Sequence, residues 1–170
     1  MDRFLGFRNI IIILLIFTGC SDNVVGWKDT ANITYDMNLP IDKNGYYHLK
    51  IDRESVQTLH KVSAYVENEL GPIEFHKVRW ESNLYWVIGD TLGYIYKRGL
   101  TDEFVYVNYD TMYVTWFKGY EVPTTNDFSY SNQFGEINNM IAPTKQMVGD
   151  TLRLVAKSDI LEQEFSIVLE

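Results

Sequence analysis

The chain has 170 residues, a length that fits one domain preceded by a short leader. Its 23 acidic side chains outnumber its 15 basic ones, so the formal net charge is −8. This acidity argues against nucleic acid as a partner and against a polybasic attraction to anionic lipid. Aromatic residues make up 15% of the chain and alanine is rare, a composition that favours strands over helices.

The first segment has the layout of a secretory signal peptide. A positively charged start precedes an apolar run at residues 10–17, and the small residues Thr18 and Gly19 follow it. The run is too short to cross a bilayer, which requires roughly 20 apolar residues. We therefore expect residues 1–19 to be a cleaved leader and not a transmembrane anchor.

Cys20 follows this leader directly and is the only cysteine, so no intramolecular disulfide can form. The stretch Phe17-Thr18-Gly19-Cys20 resembles the lipobox of bacterial lipoproteins, with Phe17 where Leu is usual. The resemblance implies that Cys20 carries a diacylglycerol, and often an additional acyl group on its new amino terminus. Two or three acyl chains anchor a protein stably, whereas one holds it only marginally. The alternative is a core cysteine after an ordinary leader.

The residue after the lipobox cysteine implies a location. In the sorting rule of such lipoproteins, Asp at this position favours retention in the inner membrane, and here the residue is Ser21. The resemblance therefore implies a lipid-anchored protein of the outer membrane that faces the periplasm or the outside. Residues 20–40 are rich in Ser, Asp, Asn and Thr, and we expect them to form a tether.

Alternation of apolar and polar residues predicts strands throughout residues 41–170. Asp42-Lys43-Asn44-Gly45 predicts a turn; a calcium loop starting there would need Glu at its twelfth position, which is Arg53. Inward faces are predicted for Leu49, Ile51, Val62, Ala64, Val66, Val78 and Trp80. Further strands are predicted near residues 85–88, 92–97, 103–109, 112–117, 128–134, 152–156 and 165–169.

Many short strands separated by turns predict an all-β fold, and specifically an antiparallel β-sandwich. The phrase Gly-Asp-Thr-Leu occurs at residues 89–92 and again at residues 149–152. It resembles phrases that open strands in bacterial immunoglobulin-like domains, which implies an immunoglobulin-like body at residues 41–170. Two small tandem β units, at about 41–105 and 106–170, are the alternative.

Sequence motifs of common enzymes are absent. The chain has no Gly-x-Ser-x-Gly elbow, no His-Glu-x-x-His and no glycine-rich phosphate loop. His48, His60 and His76 are widely spaced, and no pair of carboxylates stands out. We therefore expect no enzymatic activity, no cofactor and no metal, with an envelope hydrolase as a less favoured alternative.

Aromatic residues crowd the chain between residues 85 and 120, and an exposed row of them could stack on sugar rings. Tyr113 and Phe117 lie opposite the core-like face of their predicted strand, so they are the candidate ligand-binding residues. The alternative is that these aromatic side chains fill the core and line strand pairs.

Asp29-Thr30-Ala31 resembles the O-glycosylation motif of Bacteroidota, which implies that Thr30 is modified. As a whole, the sequence resembles small envelope lipoproteins of that phylum. It predicts a lipid-anchored, non-catalytic binding or structural module whose partner is a glycan or another envelope protein. A carbohydrate-binding surface lipoprotein that uses exposed Tyr and Trp is the alternative.

Overall fold

The structure is a computed structural model that describes residues 31–87, 93–98, 103–108, 111–114 and 120–170. These ranges contain fourteen strands and a single 3-10 turn, Lys145–Met147. The strands are β1 Asn32–Asp36, β2 Tyr47–Leu49, β3 His60–Asn68, β4 Gly71–Pro72, β5 Lys77–Ser82, β6 Leu84–Val87, β7 Tyr94–Arg98, β8 Glu103–Asn108, β9 Thr111–Val114, β10 Glu121–Pro123, β11 Phe128–Tyr130, β12 Glu136–Ile141, β13 Thr151–Lys157 and β14 Glu162–Leu169.

The prediction of an all-β fold is confirmed. The first sheet has the strand order β1-β3-β12, with β4 paired to β3, and the second has the order β11-β5-β13-β14-β2. The pair β14 and β2 is parallel, and the other strand pairs of these two sheets are antiparallel. Apolar side chains from both sheets meet in one core, which is the arrangement of a β-sandwich.

The core follows directly from the alternation in the sequence, since successive side chains of a strand point to opposite faces. Val62, Ala64 and Val66 of β3 are buried, and so are Val78 and Trp80 of β5, as predicted. In the part of the chain that the structure describes, no helix is long and apolar enough to cross a bilayer.

Trp80 lies at the centre of this core and is 2% exposed. The ring of Tyr35 contacts it edge to face at a centroid distance of 5.9 Å, and Phe165 contacts Tyr35 at 5.4 Å. The indole Nε1 donates a hydrogen bond of 3.2 Å to Ser129 Oγ. Aromatic pairs of this geometry contribute about 0.5–1.5 kcal/mol beyond the burial of their area. Trp80 therefore links the two sheets and, within the second sheet, ties β5 to β11.

Strand β1 lies inside the segment that the sequence predicts to be a tether. Ile33 and Tyr35 pack against the core, and Met37 is buried within it. The prediction is therefore wrong for residues 32–37, which belong to the folded domain. The alternation of Ile33, Tyr35 and Met37 indicates a strand, but the polar residues around them gave the segment the composition of a tether.

The third sheet is built from the chain between β5 and β11, the segment rich in aromatic residues. Its strand order is β10-β6-β7-β8-β9, and its strand pairs are antiparallel. Leu84 and Tyr94 of this sheet belong to the same apolar core as the two sheets of the sandwich. Part of the aromatic segment is therefore core, as the alternative interpretation of the sequence holds.

Asn83 connects the second and third sheets at the point where β5 ends and β6 begins. Its backbone N–H donates to Arg153 O at 3.3 Å, and its side-chain Nδ2 donates to Thr151 O at 3.2 Å. Its Oδ1 accepts the Arg153 N–H at 2.8 Å. The Asn83 side chain therefore makes the hydrogen bonds to β13 that a neighbouring strand would make. It does so where the chain passes from the second sheet to the third.

Replacing Asn83 by Ala should lower the free energy of unfolding by about 1–3 kcal/mol, because a backbone donor and a backbone acceptor of β13 lose their partner. Asn138 of β12 is exposed, so the matched change Asn138→Ala should cost less than about 0.5 kcal/mol. Urea denaturation measures both values. Equal losses in the two variants would contradict the bridging role of Asn83.

Candidate functional site

The four residues that the sequence nominates remain predictions. Cys20, Thr30 and Phe117 lie outside the described residues. Tyr113 belongs to β9, where its backbone pairs with Tyr106 of β8. The search for a site therefore starts from the side chains that the structure describes.

The three histidines lie beside different groups. His48 contacts Glu170, His60 Nε2 lies 2.7 Å from the carbonyl oxygen of Met37, and His76 lies beside Asp159. No group of three or more His, Cys, Asp or Glu side chains in the described ranges has the arrangement needed to hold a metal ion.

His48 lies between two carboxylates at the end of the second sheet. Its Nδ1 contacts Glu170 Oε1, and its Nε2 lies 3.7 Å from Asp42 Oδ2. The hydrogen bond with Glu170 raises the pKa of His48, and the Tyr46 N–H that donates to Asp42 lowers the pKa of that carboxyl. The contact with Nδ1 ties Glu170 to β2, while Nε2 is buried and has no hydrogen-bond partner among the described residues.

A groove of about 660 Å³ lies on the outer face of the second sheet. Its volume falls in the range of small-ligand sites, roughly 300–1,000 Å³. We call it the Phe75 groove. It is lined by two aromatic side chains, a histidine, three cations and two turn residues: Phe75, Phe128, His76, Lys77, Arg79, Lys157, Ser158 and Asp159.

Strand β5 positions the cations of the groove. Val78 and Trp80 point into the core, so Lys77 and Arg79 point outward. The neighbouring strand β11 places Phe128 opposite Arg79 in the register of the sheet. One stretch of alternating sequence therefore supplies both the centre of the core and one wall of the groove.

Lys77 is held over an aromatic ring. Its Nζ lies 3.7 Å from the centroid of the Phe128 ring, and Arg79 Cζ lies 5.9 Å from the same centroid. At exposed sites a cation–π contact contributes about 0.5–1 kcal/mol. The contact orders the lysine side chain but leaves the hydrogens of its ammonium group for other acceptors.

The other two cations of the groove are paired with carboxylates. Arg79 Nε lies 3.4 Å from Glu81 Oε1 and 3.5 Å from Asp127 Oδ1. Lys157 Nζ lies 3.0 Å from Glu81 Oε2. Among the residues that the structure describes, no such pair involves Lys77.

Phe75 adopts an unusual backbone conformation at the mouth of the groove. Its φ is +60°, in the left-handed region that favours glycine, and its side chain is 75% exposed. Such a conformation costs about 1–3 kcal/mol for a bulky residue and is common at functional sites. Burial does not offset this cost, because most of the ring faces solvent.

Buried Ser131 fixes the segment that carries Phe75. Its Oγ donates to Ile73 O at 2.6 Å and accepts the His76 N–H at 2.8 Å. Its backbone N–H donates to His76 O at 2.9 Å, and its carbonyl accepts the Phe75 N–H at 3.0 Å. Four hydrogen bonds to one residue thus hold the strained loop in place.

His76 brings an unpaired nitrogen to the groove. Its side chain is 9% exposed, and Nε2 lies 3.6 Å from Asp159 Oδ1, too far for a hydrogen bond. Leaving a buried polar atom without a partner costs about 1–3 kcal/mol. Because Nε2 has almost no accessible surface, a ligand atom could bond to it and recover that cost only after neighbouring side chains move.

Sequence reasoning missed this site because it searched the aromatic-rich middle of the chain. Phe75 lies in a loop and Phe128 at a sheet edge, and neither belongs to a dense aromatic segment. The available signal was His76-Lys77 and Arg79 on a strand whose intervening residues are apolar.

Comparison of the chain with protein-family models gives no match, and comparison with curated proteins gives no significant similarity. The function is therefore argued from the described side chains.

Replacing Phe75 by Gly should leave the free energy of unfolding unchanged or raise it by up to about 1 kcal/mol. The change removes the strain at positive φ and thereby stabilises the folded state. The greater backbone entropy of Gly in the unfolded chain offsets roughly 0.5–1 kcal/mol of that gain. Tyr130 of β11 is an exposed aromatic residue on the same strand as Phe128 and is the control. Tyr130→Gly should destabilise the protein by about 1 kcal/mol. Thermal and urea melts of both variants test this, and equal losses would contradict strain at Phe75.

Proposed function

We propose that this protein is a lipid-anchored protein of the cell envelope whose β-sandwich body binds a glycan without catalysing a reaction. The observation that carries the binding proposal is the Phe75 groove, in which strained, exposed Phe75 stands beside Phe128 and a set of cations. The anchor is proposed from the lipobox resemblance at Cys20, with the outer membrane as the location.

The strand arrangement supports an immunoglobulin-like assignment for the body. An immunoglobulin sandwich places its strands A, B and E in one sheet and C, F and G in the other, with a buried Trp on strand C. Here β1, β3 and β12 share one sheet, β5, β13 and β14 share the other, and Trp80 is on β5. The third sheet is an insertion between β5 and β11, and the chain has no pair of cysteines to link the sheets.

The chemistry of the groove supports a glycan as the ligand. An exposed aromatic ring offers a flat apolar face for a sugar ring, and nearby polar side chains offer hydrogen bonds to hydroxyl groups. Phe75 is exposed enough to stack, while Lys77 and Ser158 line the same groove. The aromatic residues are Phe, not the Tyr and Trp that the sequence suggests.

The carboxylates of the groove support binding without hydrolysis. Glycosidases generally use two carboxyl groups about 5–9.5 Å apart on either side of the scissile bond. Asp159 is the carboxylate among the described lining residues, and its side chain is 85% exposed. A second carboxyl group, which that chemistry needs, is not among the described residues that line the groove.

Removing the aromatic side chains should weaken glycan binding. On an array of polysaccharides, Phe75→Gly and Phe128→Ala should each reduce the affinity for the bound glycan at least about tenfold, equivalent to 1.4 kcal/mol. Phe134→Ala is the matched control, because Phe134 is exposed in a turn outside the groove. Unchanged affinity in both groove variants would refute the groove as the binding site.

The lipid anchor is tested by labelling cells with radioactive palmitate. Wild-type protein should incorporate the label, and Cys20→Ser should not, because the acyl groups require the thiol and the new amino terminus of this residue. Fractionation should then recover the wild-type protein with the outer membrane. Equal label in the two proteins would rule out lipid attachment at Cys20.

A further inference from the structure

We propose that the Phe75 groove selects an acidic saccharide, and that Lys77 and His76 recognise a carboxylate of the sugar. This inference rests on the proposed glycan-binding function and adds the charge of the ligand. Its basis is an uncompensated ammonium group and an unpaired buried imidazole nitrogen that line one groove.

The lining of the groove is richer in cations than the chain as a whole. The whole chain has a formal net charge of −8, yet the groove collects three cations against one carboxylate, Asp159. Arg79 and Lys157 are largely neutralised by Glu81 and its neighbours. Lys77 remains as the charge that a ligand would have to complement.

Lys77 is already ordered for this role. Its ammonium lies 3.7 Å from the Phe128 ring centroid, and the N–H donors that point away from the ring can still bind an anion. Little further side-chain entropy is therefore lost when an anion binds to Lys77. Phe128 therefore acts as a support for Lys77, while Phe75 is left to stack on the sugar.

His76 adds a second donor. Its Nε2 is buried and has no hydrogen-bond partner among the described residues, and it lies 3.6 Å from Asp159 Oδ1. In the tautomer protonated at Nε2, the imidazole donates to a carboxylate oxygen. A charged acceptor makes such a bond roughly twice as strong as a neutral one, so a carboxylate gains more here than a hydroxyl group does.

A second groove of about 480 Å³ shares Arg79 and Lys157 with the first, so an oligosaccharide has a path across the sheet. The lining of that second groove contains four cations, Arg79, Lys97, Arg153 and Lys157, beside three carboxylates, Glu81, Glu162 and Glu164. An extended acidic oligosaccharide would therefore meet charges of both signs beyond the Phe75 groove.

The experiment uses the full chain in detergent and an array of uronate-containing polysaccharides of plant, algal and bacterial origin. Each polysaccharide is also presented after chemical reduction of its carboxyl groups to alcohols, which preserves the sugar rings and removes the charge. Wild-type protein should bind at least one native uronate glycan at least about tenfold more tightly than its reduced form. Added NaCl should weaken this preference, because salt screens exposed charges.

Variants assign the preference to residues. Lys77→Gln should abolish the difference between native and reduced glycan, and Lys77→Arg should retain most of it because the charge is kept. His76→Gln should diminish it at least about threefold, since it removes the buried imidazole donor. Lys43→Gln is the control, because Lys43 is exposed in the turn at residues 42–45, outside the groove. Thermal melts confirm that each variant is folded.

The outcomes separate this inference from the function on which it rests. Equal binding to native and reduced glycans would overturn the acidic selectivity and leave glycan binding in place. Binding to no glycan on the array would overturn both. Full selectivity in Lys77→Gln would show that another cation reads the carboxylate, and it would overturn the assignment to Lys77.

Discussion

The packing of Trp80 between the two sheets is the contact on which the rest of the structure depends. Trp80 is held by Tyr35 from β1 and by Ser129 from β11, so it fixes the position of β5 relative to both. Because β5 is extended, fixing its inward side chains also fixes Lys77 and Arg79 on the opposite face. The groove is therefore a consequence of how the core is filled.

The loop before β5 supplies Phe75 and His76 to the groove. Ser131 holds Ile73, Phe75 and His76 by four backbone and side-chain hydrogen bonds. These bonds oppose the strain of a positive φ at Phe75 and the cost of burying an unpaired His76 nitrogen. Both unfavourable features lie in adjacent residues of one loop that lines the Phe75 groove.

Alternation predicted strands with apolar inward residues such as β3, but it missed β1 and β12. Val62, Ala64 and Val66 are such a set, and their strand was predicted. Strand β12 was missed because buried Asn139 occupies an inward position, where its Nδ2 donates to Thr125 Oγ1 at 2.8 Å. The passage between the second and third sheets at Asn83 was also missed. It depends on hydrogen bonds of a polar side chain, which no hydrophobic pattern encodes.

The sequence by itself determined the all-β class, the inward faces of β3 and β5 and the turn at Asp42-Gly45, because each depends on residues that are close together in the chain. Only the tertiary structure decided which aromatic rings reach solvent together and which cations remain without a carboxylate. Phe75 and Phe128 are 53 positions apart, and the pairing of β11 with β5 brings both to one groove. Strand pairing over such distances is set by the packing of the whole core, so local patterns carry no record of it.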